Sequence, residues 1–363
     1  MTFRATALMA VLFQLSSLQF AMAEETPKLT EEQSAQAEKQ YQQYCTLCHG
    51  AEREGYANDQ APSLRSQSLM ESGWREMFQA TAYGRPGTPM SGYFEEVGGP
   101  LTQQEIWHLV MWLAEQENIE PIWLERDAIE GDIVAGQEIY EAECSICHGD
   151  SGEGGAGTAL GNPGMLAMTS DPFIRYAIEN GRQGTDMPAF VDDLSPADID
   201  NVTAFIRSKA TGWEMQKPVL REPPSVAEYV LNPDGEDPEF ELQDGLYVSA
   251  DALNSALEGK RKMVLLDTRA MSSWQVAHIA GSVPLPYYYE DTESLAEDLP
   301  KDGTWIVTYC NCPRAAAEHV NKKLMVLGFT NLAVLWEGIS GWVALGYPVA
   351  MGKTVATETA AAD

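Results

Sequence analysis

Residues 45–49 read Cys45-Thr46-Leu47-Cys48-His49, and 99 positions later the chain reads Cys144-Ser145-Ile146-Cys147-His148. C-x-x-C-H is the attachment signature of a c-type haem. The spacing has a chemical reason. Two thiols three residues apart on one helical turn each form a thioether to a porphyrin vinyl group, and the adjacent His turns its imidazole to the iron from the same side. The competing readings are a redox C-x-x-C and half of a zinc site. Two copies, each followed by Gly, favour haem.

The surroundings repeat as well. Glu- and Gln-rich sequence from Thr30 predicts a helix running into the first motif, with Glu31 and Glu32 favoured in its first turn. A loop with Ala61-Pro62-Ser63-Leu64 follows, then a predicted helix over 68–83, then Gly84-Arg85-Pro86-Gly87-Thr88-Pro89-Met90. Thr102-Gln103-Gln104-Glu105 is a capping box opening a helix with Ile106, Leu109, Val110 and Leu113 on one face. The second unit has a predicted helix over 132–147, then Asn162-Pro163-Gly164, a short helix over 171–181 and Gly184-Thr185-Asp186-Met187-Pro188. Ser195-Pro196-Ala197-Asp198 caps its last helix, which carries Ile199, Val202, Phe205 and Ile206. His49 precedes Met90 by 41 residues and His148 precedes Met187 by 39, so a whole domain is duplicated.

Over roughly residues 30–212 this order resembles class I cytochrome c. The resemblance implies two covalently bound haem c groups, held by Cys45 and Cys48 and by Cys144 and Cys147. It implies His49 and His148 as proximal iron ligands and Met90 and Met187 as distal ones, a thioether opposite imidazole raising the reduction potential. Pro62 and Pro163 fall where the family's Pro loop orients the proximal imidazole through a backbone carbonyl. Met70, Met77, Met165 and Met168 are rival thioethers. Position in a Gly/Pro loop before the last helix selects Met90 and Met187. His108, on the last helix of the first unit, reads as structural.

The first 23 residues have the form of a secretory signal. Arg4 is the positive n-region, Ala5 to Phe20 a short apolar stretch and Ala21-Met22-Ala23 an A-x-A cleavage site. Cleavage near Ala23 would leave a periplasmic protein that does not span the membrane. The formal net charge of −31 argues against nucleic acid, whose phosphates need Lys and Arg, and favours steering toward a redox partner with a basic patch.

Residues 213–241, punctuated by Pro218, Pro223, Pro224, Pro233 and Pro238, read as a partly extended linker. Beyond it the pattern changes. Met263 to Asp267 and Trp305 to Tyr309 are short apolar runs of strand length, a helix is predicted from about Ala315 to Leu327, and Phe329 to Leu335 gives another strand. Strands alternating with helices predict a parallel α/β sheet. Asp267-Thr268-Arg269, His278-Ile279-Ala280-Gly281, Tyr309-Cys310, Glu337-Gly338, Trp342 and Gly346-Tyr347-Pro348 resemble, in order, the rhodanese domain. That resemblance places the reactive cysteine at Cys310. A helix N-terminus after it would stabilise a thiolate and a bound anion, making the sulfur a nucleophile toward a small sulfur compound. The loop Cys310-Asn311-Cys312-Pro313-Arg314-Ala315-Ala316 departs from the active pattern. Arg314 stands one place early, with its charge expected near Cys310, and Cys312 is either a resolving thiol or a bystander.

The expected fold class is therefore multidomain: two all-α cytochrome c domains followed by an α/β rhodanese-like domain with a parallel sheet. The expected boundaries are signal peptide 1–23, domains 30–118, 129–212 and 242–352, linker 213–241 and tail 353–363. The first functional reading couples sulfane-sulfur binding at Cys310 to electron transfer through two haems. The second is a non-catalytic electron carrier whose third domain only docks a sulfur-handling partner. The third is a plain sulfurtransferase with haems serving another pathway.

Overall fold

A computed structural model describes residues 28–57, 61–85, 88–212, 220–289, 296–311 and 314–351. The leader 1–23, the tail 353–363 and Cys312 lie outside the described residues.

The first unit opens with α1 (Glu31–Tyr44), whose capping box pairs Thr30 with Gln33. One residue later α2 (Thr46–His49) carries the end of the first C-x-x-C-H, and Gly50 stops it at φ 82°. The stretch expected as one helix over 68–83 is two, α3 (Gln67–Ser72) and α4 (Trp74–Tyr83). They break at Gly73, where a Cβ would lie 2.7 Å from the Leu69 carbonyl and 3.0 Å from the Phe173 ring of the second unit. Helix α5 (Gln103–Gln116) starts at the Thr102–Glu105 capping box and buries Ile106, Leu109, Val110 and Leu113. These pack with Ala37 and Tyr41 of α1.

The second unit repeats the plan. Helix α6 (Ile133–Ile139) passes through a wide turn, Tyr140–Cys144, into α7 (Ser145–His148). Short α8 (Pro163–Met168) and α9 (Asp171–Asn180) follow, then α10 (Pro196–Ser208) with its Ser195–Asp198 box. Helix α6 crosses α10 backbone to backbone at Gly136, where a Cβ would fall 2.1 Å from the Asn201 carbonyl oxygen. Any other residue there would force the pair apart. The two units meet along α3 and the start of the second Met loop. Arg182 donates to Ser68 Oγ at 2.9 Å, and Gln183 Oε1 accepts from Ser68 N at 3.0 Å.

The third unit is a mostly parallel sheet. Its strands are β1 (Val230–Leu231), β2 (Tyr247–Val248), β3 (Met263–Asp267), β5 (Val283–Pro284), β6 (Trp305–Tyr309) and β7 (Leu332–Leu335), in the order β1-β3-β6-β7-β2 with β5 also on β3. Only β1 runs antiparallel. Strands β4 (Ala277–Ile279) and β8 (Val349–Met351) form a separate antiparallel pair. Strand β3 is buried at all five positions and β6 at four of five, as a central strand covered on both faces requires. Helices α11 (Ala250–Glu258), α12 (Met271–Val276), α13 (Ala315–Val326) and α14 (Gly338–Ala344) complete the unit. The stretch 213–241 is not linker throughout. Val230 and Leu231 pair with Val264 and Met263, and Phe240 packs edge-on to Trp305 at 5.2 Å. Its prolines hide a strand too short to show an alternating pattern.

Candidate functional site

The two attachment segments are built alike. Tyr41 donates its hydroxyl to Gly50 O and Tyr140 to Gly149 O, both at 2.8 Å, each fixing the turn after its motif. In the first unit His49 Nδ1 lies 2.9 Å from the Pro62 carbonyl. That contact fixes the ring and leaves Nε2 for a metal. In the second unit the corresponding contact, at 2.7 Å, runs to Thr158 O and not to Pro163. Pro163 is instead the first residue of α8, behind the Asn162 cap, so its loop is committed to starting a helix. Gly157 leaves room beside the imidazole: a Cβ there would sit 2.7 Å from His148 Cε1.

Burial pushes the Cys45 thiol up to about 12 and the Cys144 thiol up to about 11. Neither sulfur is held as a thiolate by its surroundings, and a thioether sulfur carries no charge. Burial also lowers the His49 imidazole, keeping it in the neutral form a metal requires. No group of three His, Cys, Asp or Glu side chains suited to a metal ion occurs among the described residues. Paired sulfurs that need no charge, beside an oriented neutral imidazole, fit covalently bound haem.

Met90 borders the core of the first unit and Met187 that of the second. Their rivals Met70 and Met165 are buried core residues. The loops bearing Met90 and Met187 share one hydrogen-bond pattern. Arg85 N donates to Met90 O at 2.7 Å, and Arg182 N to Met187 O at 3.0 Å. Thr88 and Thr185 bridge the same gap, each donating to the arginine carbonyl and accepting from the methionine N–H. The shared pattern Gly-Arg-x-Gly-Thr-x-Met was visible in the sequence and marks two residues to which the sequence reading gave no role, Arg85 and Arg182. Burial lowers the Arg182 guanidinium to about 10, opposed by Glu76 and assisted by Arg85. Burial lowers Arg85 too, with Glu76 again opposing. Two cations thus converge on one buried carboxylate between the units.

In the third unit Cys310 follows directly on β6 and is 4 % exposed. Its carbonyl accepts from Ile339 N at 2.9 Å, and Gly338, at φ +59°, comes so close that a Cβ would lie 2.6 Å from that oxygen. This explains the Glu-Gly pair: only glycine fits both the dihedral and the approach. Behind Cys310, Tyr309 OH donates to Asp267 Oδ2 at 2.8 Å and accepts from Ile279 N at 3.0 Å. Asp267 also holds Arg269, with Nη2 to Oδ2 at 2.6 Å. Burial opposes the Arg269 charge, but Asp267, with Tyr309 and Cys310, more than offsets it and raises its pKa. Arg269 therefore stays charged, held by Asp267. Arg314 is drawn onto aromatic rings, its guanidinium 3.9 Å from the Trp336 ring centroid and 5.1 Å from that of Tyr247, with Glu318 at 3.7 Å.

The third unit docks on the first. Leu47, inside the first attachment motif, and Tyr287 pack against the cluster that contains Cys310. Asn311 Nδ2 donates to Thr88 O at 3.3 Å, touching the Met90 loop. Tyr287 OH donates to Tyr44 O at 2.6 Å and lies 2.7 Å from Tyr93 OH. Ser91 and Ser273 hydroxyls meet at 2.7 Å, and Ser272 donates to Gly92 O. Sequence alone had no means of placing the third unit against either motif. The hydrogen bonds join residues 180 to 243 positions apart.

Comparison with known proteins agrees with this division. Residues 21–113 and 131–206 match the family "Cytochrome C oxidase, cbb3-type, subunit III", and 249–345 match the rhodanese-like domain. Cytochrome c6 of Synechococcus sp. is 31% identical over 96 residues, covering 24% of this chain and 80% of that protein. The cbb3-type cytochrome c oxidase subunit FixP of Azorhizobium caulinodans is 26% identical over 209 residues, 55% of this chain and 67% of that one. The solution structure of a rhodanese-like domain from Anabaena sp. is 27% identical, covering 32% of this chain and 86% of that chain, with a TM-score of 0.27. No helix among the described residues is long and apolar enough to cross a membrane.

Proposed function

Since the chain belongs to the c-type cytochromes and carries a rhodanese-like domain after its cytochrome region, we propose that it couples sulfur chemistry at Cys310 to one-electron export through two haem c groups. The carrying observation is the contact of the Cys310 cluster with Leu47, inside the first attachment motif. Covalently bound haem supplies one-electron acceptance and release. Cys45, Cys48, Cys144 and Cys147 would hold the two groups. His49 and His148 would ligate the iron through Nε2, oriented by Pro62 O and Thr158 O, and Met90 and Met187 would add a thioether ligand each. Arg85 and Arg182 against the single Glu76 leave a surplus of positive charge, which suits a cofactor bearing carboxylates. The signal-like leader, cleaved near Ala23, would put the protein in the periplasm.

At Cys310 two steps balance. With a sulfane donor R–S–S⁻, the Cys310 thiolate attacks the outer sulfur, a new S–S bond forms, the donor's S–S bond breaks and RS⁻ leaves, with no net electron change. With hydrosulfide, the same persulfide forms with release of one proton and two electrons, the number that two one-electron centres hold. Arg269, a buried cation paired with Asp267, would favour the anionic sulfur. A second reading draws on the burial of Cys310 and the stacking of Arg314: a docking module without turnover. Anaerobic mixing of ferric protein with hydrosulfide, the donor whose persulfide step releases electrons, separates the two. Coupling predicts haem reduction in native protein and its loss in Cys310→Ser. Equal reduction in both proteins would reject Cys310 as the sulfur acceptor.

A further inference from the structure

The two attachment motifs offer the same face to different surroundings. In the first unit that face consists of Tyr44 before the motif, Leu47 within it, and Thr88, Ser91, Gly92 and Tyr93 in and just after the Met loop. The third unit touches all six. The duplication puts Glu143, Ile146, Thr185, Pro188, Ala189 and Phe190 at the equivalent places. There Ile146, the counterpart of covered Leu47, is 89 % exposed and neighbouring Val191 is 52 % exposed. Pro188 and Ala189 are exposed too. Glu141, Glu143, Asp186, Asp192 and Asp193 are exposed around them. An apolar centre with a charged rim is the anatomy of a transient protein interface.

We propose that this face of the second unit is the docking port for a basic one-electron redox protein, and that the first unit, closed by the third, exchanges electrons only within the chain. The direction of flow rests on the function proposed above; the face does not. A second copy of this chain would bring another acidic rim and a formal charge of −31 to the same place, so like charges oppose that occupant. A lysine-ringed apolar patch fits instead, and the acidic field would steer it in. In each encounter one electron leaves the chain and reduces the partner's one-electron centre by one, with no atom transferred.

The test uses full-length haem-loaded protein, reduced chemically without any sulfur compound, so that failure of sulfur coupling leaves it intact. The probe is a lysine-rich ferric cytochrome c, mixed in stopped flow at low and high salt. Ile146→Lys should slow the second-order rate at low salt by about tenfold or more and flatten its salt dependence. Val326→Lys, on an 87 % exposed apolar residue of α13, should leave the rate unchanged. Haem spectrum and potential, unchanged in Ile146→Lys, show that the effect is docking. Zero-length carbodiimide cross-links should map to the carboxylates around Ile146. Equal rates for both variants, or cross-links confined to the first unit, would overturn the proposal. A dimer of the full chain that Ile146→Lys dissociates would overturn it as well, by giving the face to a second copy.

Discussion

Tyr309→Phe is a one-atom probe of the platform behind Cys310. The lost oxygen donates to Asp267 Oδ2 at 2.8 Å, accepts from Ile279 N at 3.0 Å and meets Ser282 Oγ at 2.8 Å. All these groups are buried. Ser282 can rotate its hydroxyl elsewhere. Ile279 N–H cannot, and an orphaned buried donor costs about 1–3 kcal/mol. The bond to Asp267 is charge-assisted and adds about 1.5–3 kcal/mol, although Arg269 remains on that carboxylate. The expected loss is therefore about 3–5 kcal/mol from the stability of the third unit. Urea denaturation followed by tryptophan fluorescence measures it, with the slope m unchanged. The same variant should speed iodoacetamide labelling of Cys310, because the strand end that buries it is loosened. A loss below about 1 kcal/mol would mean that Tyr309 is an ordinary core ring and that the Asp267–Arg269 pair stands without it.

The other expectations concern the cofactors and pH. Denatured protein should retain two haems by mass spectrometry; one or none would remove the duplicated-site reading. Met187→Ala should lower the potential of the second site and open it to added imidazole. An unchanged potential and charge-transfer band would shift attention to Met165 or Met168. Burial raises Tyr287 and Tyr309 well above the ordinary tyrosine value. Their folded pKa values exceed the unfolded ones, so the stability they contribute is complete below about pH 10 and declines above it. The decline should be about 1.4 kcal/mol per pH unit for each tyrosine, until the folded value is passed. Alkaline denaturation without that slope would show these hydroxyls to be solvated.

The haem framework was legible because its chemistry is local. Two thiols and an imidazole must share one helical turn, and the caps at Thr30, Thr102 and Ser195 mark helix starts by side-chain type alone. The α/β unit was legible because β3 and β6 are buried on both faces and read as unbroken apolar runs. Three things were hidden. The break at Gly73 falls where a ring from the other unit packs close, a tertiary contact. The partner of His148 shifted to Thr158 because Pro163 starts a helix. The contact between Leu47 and the Cys310 cluster is tertiary, and no local pattern encodes it.

The aromatic seam formed by Tyr44, Tyr93, Tyr287 and Tyr288 also bears on how the protein can be cut. Tyr288 and Ala270 belong to the third unit in sequence, yet they sit in the core cluster of the first. A truncation ending near residue 212 would keep both attachment motifs but strip these rings from the first one. Its newly bared apolar surface would make that fragment prone to self-association. Spectra from such a fragment would then report a first site that is wetter and differently tuned than in the intact chain.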